Sequence, residues 1–201
     1  RSSGGRDRGR SQDIACGGGQ LAPVKTTVKN SVTVALMTAL LAVLSPFSLQ
    51  IGPIPLTLAT LGVYFCAALL GEKRGTLAVA VYLLLGAVGV PVFAGFSGGV
   101  QKFAGPTGGY LVGYLLCAFL AGLFIRRHAE KPLFWIVGFV VGTAALYAFG
   151  TAWFMIGSKT PLGAALLTCV VPFLAGDAVK IAAAIAVGFP LRKTLSRHHY
   201  I

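Results

Sequence analysis

Apolar residues run almost unbroken at 31–49, 56–70, 76–92, 110–125, 133–156 and 162–191. A helix needs about 20 residues to cross a bilayer, and somewhat shorter ones are tolerated. The first five runs therefore predict one crossing each. The sixth is too long for one crossing and is interrupted by "PFLAGD" (172–177).

The polar positions between the runs orient them. With the N-terminus inside, the inner segments carry Arg1, Arg6, Arg8, Arg10, Lys25 and Lys29, then Lys73 and Arg74, then Arg126, Arg127 and Lys131, and finally Arg192, Lys193 and Arg197. The outer loops keep only Lys102 and Lys159, and Lys180 lies within the last run. Such a bias obeys the positive-inside rule. Two crossings by 162–191 would put "RKTLSRHH" outside, so this run crosses once, from about Gly176 onward. Residues 160–175 are then a short outer helix or re-entrant piece.

The predicted fold is an all-α membrane protein with six transmembrane helices, cytoplasmic N- and C-termini, and a Gly-rich outer loop between helices 3 and 4. Residues 25–195 form the six-helix membrane domain, and 196–201 a cytoplasmic C-terminal tail. Residues 1–24 read as a disordered or processed N-terminal tail, because 1–20 are rich in Gly, Arg and Ser without hydrophobic periodicity. An acid-poor leader of this kind is also compatible with an organellar transit remnant.

Composition supports the membrane reading. Hydrophobic residues make up 56% and charged residues 11%, against about a quarter charged in soluble domains; mean hydropathy is +0.81. The formal charge of +12 raises nucleic-acid binding, but the basic residues lie between apolar runs and not along one helix face, so no nucleic-acid partner is predicted. Cys16, Cys66, Cys117 and Cys169 form no CxxC pair and have no histidine nearby. The last three read as small apolar fillers. His128, His198 and His199 lie in basic, solvated segments, and no metal site is predicted.

The outer connections are "PFSLQIGPIPLT" (46–57), "FAGFSGGVQKFAGPTGGY" (93–110) and "GSKTPLGAALLTCVVPFLAGD" (157–177), whereas the inner ones are short charged turns such as "GEKRG" (71–75). Non-helical backbone at membrane depth is tolerated only where it is buried in protein or lines a cavity. Three irregular outer segments thus predict one outward-facing cavity.

Asp177 and Lys180 are the most informative charges. Spaced by three, they share a helix face, and ionisable residues inside spans mark function. Asp177 follows Gly176, where an acid caps a helix N-terminus, and Lys180 would add to the dipole there as a carboxylate site. The plainer reading is a structural ion pair with Lys180 snorkelling outward. "GFSGG" (95–99) fits the nucleophile-elbow pattern, which makes an intramembrane serine hydrolase using Ser97 the remote alternative. A serine nucleophile needs a base in reach, and all three histidines map to the inner side, leaving only a dyad with Lys102 or Lys180. No phosphate-cradling GxxxxGK[ST] loop occurs. In the first span Ala35 and Ala39 ("ALMTA") form a small-xxx-small pair suited to helix docking. Trp153 and Tyr110 read as interfacial anchors, and Tyr110, Phe93 and Phe96 also suit the wall of an apolar ligand site.

"PIPLT" (53–57), "FAGFSGG" (93–99), "GPTGGY" (105–110), and "PFLAGD" followed by Lys180 occur in this order. In these motifs residues 25–195 resemble the BioY family, the biotin-binding S components of energy-coupling factor (ECF) transporters. The resemblance implies six helices and a biotin site near the outer face, covered by the loop between helices 3 and 4. Asp177 and Lys180 match the pocket's polar pair, with either Lys180 meeting the valerate carboxylate or Asp177 accepting from the ureido N–H groups. Thr57, Ser97, Tyr110 and the backbone of Gly98, Gly99, Gly108 and Gly109 are further substrate-binding candidates. Ala35 and Ala39 match the motif that docks on the transmembrane T component, and two ATPase subunits would supply energy. The chain would then be no enzyme, use no cofactor, and sit in the plasma membrane, by default a bacterial inner membrane. A solitary transporter of biotin or another small vitamin is the alternative. Two departures stand out: Ala59 occupies the glutamine position of the PxPxTxQ pattern, and "VQK" (100–102) is more polar than the loop's usual sequence.

Overall fold

The computed structural model describes residues 22–49, 54–128 and 131–197, with side chains for all but 22–27, 168 and 195–197. Most of the predicted N-terminal tail, residues 198–201 of the C-terminal tail, and Cys16, His198 and His199 lie outside the described residues. Helix α1 (Ala22–Leu44) ends in the turn at Ser45 and Pro46. A two-residue strand β1 (Ser48–Leu49) pairs antiparallel with β2 (Leu56–Thr57), Ser48 opposite Thr57 and Leu49 opposite Leu56. Then follow α2 (Ala59–Val88), α3 (Gln101–Ala104), α4 (Gly108–Arg127), α5 (Pro132–Ser158), α6 (Leu162–Cys169) and α7 (Val171–Arg197). Among the described residues, α4, α5 and the stretch Leu162–Thr194 are long and apolar enough to cross a membrane, and Val28–Leu44 is a shorter apolar helix. This is a helical membrane protein.

The predicted GEKRG turn is tighter than its charge suggested. Only Gly71 leaves helical geometry, at φ 74° and ψ −168°, a left-handed conformation that residues with a Cβ rarely adopt. Glu72, Lys73 and Arg74 already belong to the next arm. That arm (72–88) folds back along the first (59–70), since Gly75 lies against Cys66 and Ala67. Both arms pack on α1: Gly62 meets Leu41, and Thr38 donates to the Ala78 carbonyl.

Helix α4 crosses this hairpin at its kink. A Cβ at Gly122 would stand 2.6 Å from the Glu72 nitrogen and 2.7 Å from its Cα. Gly122→Val should therefore destabilise the protein by about 1–3 kcal/mol through overpacking. Gly163→Val, placed where a Cβ meets nothing within 4 Å, should leave thermal melting in detergent unchanged. Equal melting of the two variants would refute this packing. At the same end of the bundle Arg126 pairs with Glu72, and Arg192 donates to the Ala68 carbonyl while lying over the Trp135 ring. His128 stacks on Phe134 at 3.8 Å. Helix α5 approaches α4 closely through Gly138, Gly142 and Gly150, which face Ala121, Cys117 and Tyr110, as small residues allow between apolar helices.

The end of the chain corrects the sequence reading. The break falls at Val170 (φ −122°, ψ −53°), not at "PFLAGD", and α7 begins at Val171, not near Gly176. Pro172 occupies the first helical turn, where its missing N–H is not needed, and Gly176 faces Leu56 within the helix. A short helix, α6, does precede the long one, but Asp177 lies on the second turn of α7 and is not its cap. Cys66, Cys117 and Cys169 are buried free thiols.

Candidate functional site

A cavity of about 440 Å³ opens among the start of α2, α4, α5 and α7, walled on another side by residues 93–107. Its volume lies within the range of small-molecule sites, roughly 300–1,000 Å³. Helix α7 supplies the charges. Asp177 and Lys180 are 3% and 7% exposed, and their side chains meet at 2.9 Å. Lys180 Nζ also donates to the Thr57 carbonyl at 2.7 Å and to Thr60 Oγ1 at 2.9 Å. An ammonium has three donors, so all of them are used within the protein. Asp177 Oδ1 accepts from Lys180 and, at 3.2 Å, from Thr60, and Oδ2 accepts from Tyr147 at 2.5 Å. A carboxylate offers about four lone-pair positions. One acceptor position on Oδ2 is left at the cavity.

A buried ion pair is costly unless its remaining polar atoms are satisfied. Here they are: among the described residues, Glu72 Oε2 is the buried side-chain polar atom lacking a partner, and it lies at the kink, away from the cavity. The Asp177 group is thus pre-organised, with its charge neutralised internally. Around it Tyr114, Tyr110, Phe93, Leu146 and Phe173 form a largely aromatic wall.

The 93–107 wall has its own framework. Phe93 and Ser97 exchange backbone hydrogen bonds of 2.8 and 3.3 Å around a turn in which Gly95 and Phe96 have positive φ. Gly95 N–H donates to the Pro46 carbonyl, Gly99 N–H to the Gly86 carbonyl, and Trp153 Nε1 to the Gly105 carbonyl. Phe93 lies over Gly86, where any Cβ would collide with its ring. Phe96 points away and meets Phe47 edge-on, so it is not part of the ligand wall.

Of the predicted site residues, Thr57, Ser97, Tyr110, Asp177 and Lys180 line the cavity. Ser97 Oγ donates to the Ala94 carbonyl and so closes its turn. Tyr110 is buried, with its hydroxyl 3.4 Å from Thr151 Oγ1 and the Cys169 carbonyl; this contradicts its reading as an interfacial anchor. Gly98, Gly99, Gly108 and Gly109 stand behind the lining and allow close packing: Gly98 against Val90, Gly108 against Phe103, Gly109 against Trp153. Sequence reasoning missed Thr60, Tyr114 and Tyr147. Each is a hydroxyl inside an apolar run, and Tyr114 sits one turn after Tyr110, a signal that was present but weak.

Helical membrane packing around a pre-organised, polar-ended cavity defines a membrane protein built to hold a small molecule. The BioY family model matches residues 20–197, and the chain belongs to the BioY family. It is 38% identical over 167 residues to "Biotin transporter BioY" of Thermotoga maritima, covering 83% of this chain and 97% of that protein. To "Probable biotin transporter BioY" of Pyrococcus horikoshii it is 39% identical over 154 residues, covering 77% and 90%. Its fold is similar to a 2.1 Å crystal structure of the S-component for biotin from an ECF-type ABC transporter, with a TM-score of 0.79, 30% identity, and coverage of 84% of this chain and 93% of that one.

Proposed function

We propose that this protein is the biotin-binding membrane subunit of an ECF-type importer, taking up biotin at the outer face for ATP-driven transport. The observation that carries this reading is the Asp177–Lys180–Thr60–Tyr147 cluster, in which every Lys180 donor is used within the protein and one Asp177 acceptor is left to a ligand-sized cavity. A ureido ring complements it, one N–H donating to Asp177 and its carbonyl oxygen accepting from the hydroxyl of Thr57 or Tyr114. The apolar body of biotin then lies against Phe93, Tyr110 and Tyr114. Ala59 removes the glutamine position of the related pattern, and Thr60, beside it, takes the polar contact with Asp177.

Six crossings are made by α1, the two arms of α2, α4, α5 and α7. The bundle end holding Glu72, Arg126 and Arg192 faces the cytoplasm with both termini, and residues 93–107 cover the cavity from outside. The basic residues at that end support this orientation. The ATPase activity belongs to two separate subunits, and the T component docks on α1 at Ala35 and Ala39 in the plasma membrane.

Binding of biotin, dethiobiotin and riboflavin to the purified protein and to Lys180→Ala tests the reading. The wild type should bind biotin selectively. The variant should bind at least about tenfold more weakly, because Asp177 loses its charge-assisted partner, worth about 1.5–3 kcal/mol. A folded wild type that does not bind biotin would refute the proposal. Undiminished binding by the variant would refute only the role of Lys180.

A further inference from the structure

Lys180 has no donor left for a ligand's carboxylate, which sets the question of where a carboxylate would go. The cavity lining holds three charged side chains, Asp177, Lys180 and Lys102. The first two neutralise each other at 2.9 Å. The acids with described side chains are Asp177 and Glu72, and Glu72 is paired with Arg126 at the kink. Lys102 is thus the charge by which the lining departs from neutrality, a net of one positive unit.

Its placement is built by the wall segment. Lys102 lies on the four-residue helix α3, half-buried, between Gln101, whose Nε2 donates to the Gly98 carbonyl, and Phe103, which packs edge-on against Phe93. The backbone N–H of Lys102 is held by the Gly99 carbonyl. Lys102 thus lines the cavity from the wall segment, whereas Asp177 and Lys180 line it from α7.

We infer that Lys102 binds the carboxylate of the ligand, while the Asp177 cluster binds its uncharged hydrogen-bonding head, so that the site selects monoanions with a polar head at the far end. This rests on the biotin reading proposed above. It takes the place of the option that Lys180 meets the valerate carboxylate, for which Lys180 would have to surrender a bond to Asp177, Thr60 or Thr57. It also gives a purpose to the polar "VQK" sequence. A charge-assisted contact at one end favours a carboxylate over an uncharged analogue, which forgoes it.

The test is equilibrium binding of biotin and of biotinamide, whose carboxylate is replaced by a neutral amide, to the purified full chain. The variants are Lys102→Ala, Lys102→Arg and, as a neighbouring control outside the cavity lining, Val100→Ala. The wild type and Val100→Ala should prefer biotin by about tenfold or more. Lys102→Ala should lose that preference through weaker biotin binding with biotinamide binding unchanged, and Lys102→Arg should keep most of it. A Lys102→Ala protein that retains the wild-type preference overturns the inference, as does one that weakens both ligands equally. If the wild type binds both ligands with equal affinity, the carboxylate assignment fails while the biotin reading stands. If it binds neither, the biotin reading fails and this inference with it.

Discussion

Asp177→Ala should destabilise the protein by about 3–5 kcal/mol and abolish biotin binding. Removing one partner of a buried ion pair leaves the other charge without compensation, at roughly this cost. Here the deletion also strips Tyr147 and Thr60 of their acceptor. Lys180 keeps only Thr57 and Thr60. Destabilisation and loss of function are separable by a second variant. Asp177→Leu combined with Lys180→Met replaces the pair by apolar groups and should recover much of the stability, as such replacements often do. It should still fail to bind biotin, because the acceptor for the ureido group is gone. Thermal melting in detergent and calorimetric titration read the two effects. An Asp177→Ala protein that melts like the wild type would refute the energetic account, and biotin binding by the double variant would refute the assignment of Asp177 to the ligand.

Trp at both Ala35 and Ala39 should stop ATP-driven uptake by the assembled transporter and leave biotin binding by the isolated subunit unchanged. Both alanines are exposed on α1, whereas Val34 and Thr38 beside them are buried against the rest of the protein. The substitution therefore adds bulk only on the free face. Close helix approach through small residues is lost when they are enlarged. Uptake measured in reconstituted vesicles and binding measured on the purified subunit check the two halves. Normal uptake by the variant would refute docking at this surface, and reduced binding would show that α1 shapes the cavity.

The helices were legible because long apolar runs mark them one by one, and the distribution of Lys and Arg supports the orientation proposed above. Asp177 and Lys180 stood out because charges are rare in such runs. What stayed hidden was fixed by contacts between distant parts of the chain. Thr60 reaches Asp177 across 117 positions and Tyr147 across 30, and neither distance leaves a local mark. The start of α7 was misplaced because Pro172 and Gly176 look like breakers, yet Pro172 falls in the turn that tolerates it and Gly176 serves packing against Leu56. The GEKRG segment reads as a short charged turn, and the chain does reverse there, with Gly71 alone leaving helical geometry.

The wall segment is fastened to its surroundings by Gly95 to Pro46, Gly99 to Gly86 and Trp153 to Gly105, and by Phe93 lying over Gly86. None of these contacts involves Asp177, Tyr147 or any other group assigned to the ligand's head. If the proposed cover opens at residues 93–107, it breaks these same bonds whatever head group lies beneath, and the occupant adds to that cost only through Lys102. The fastening of the cover then sets a part of the residence time common to all ligands, and Lys102 the part that differs between them.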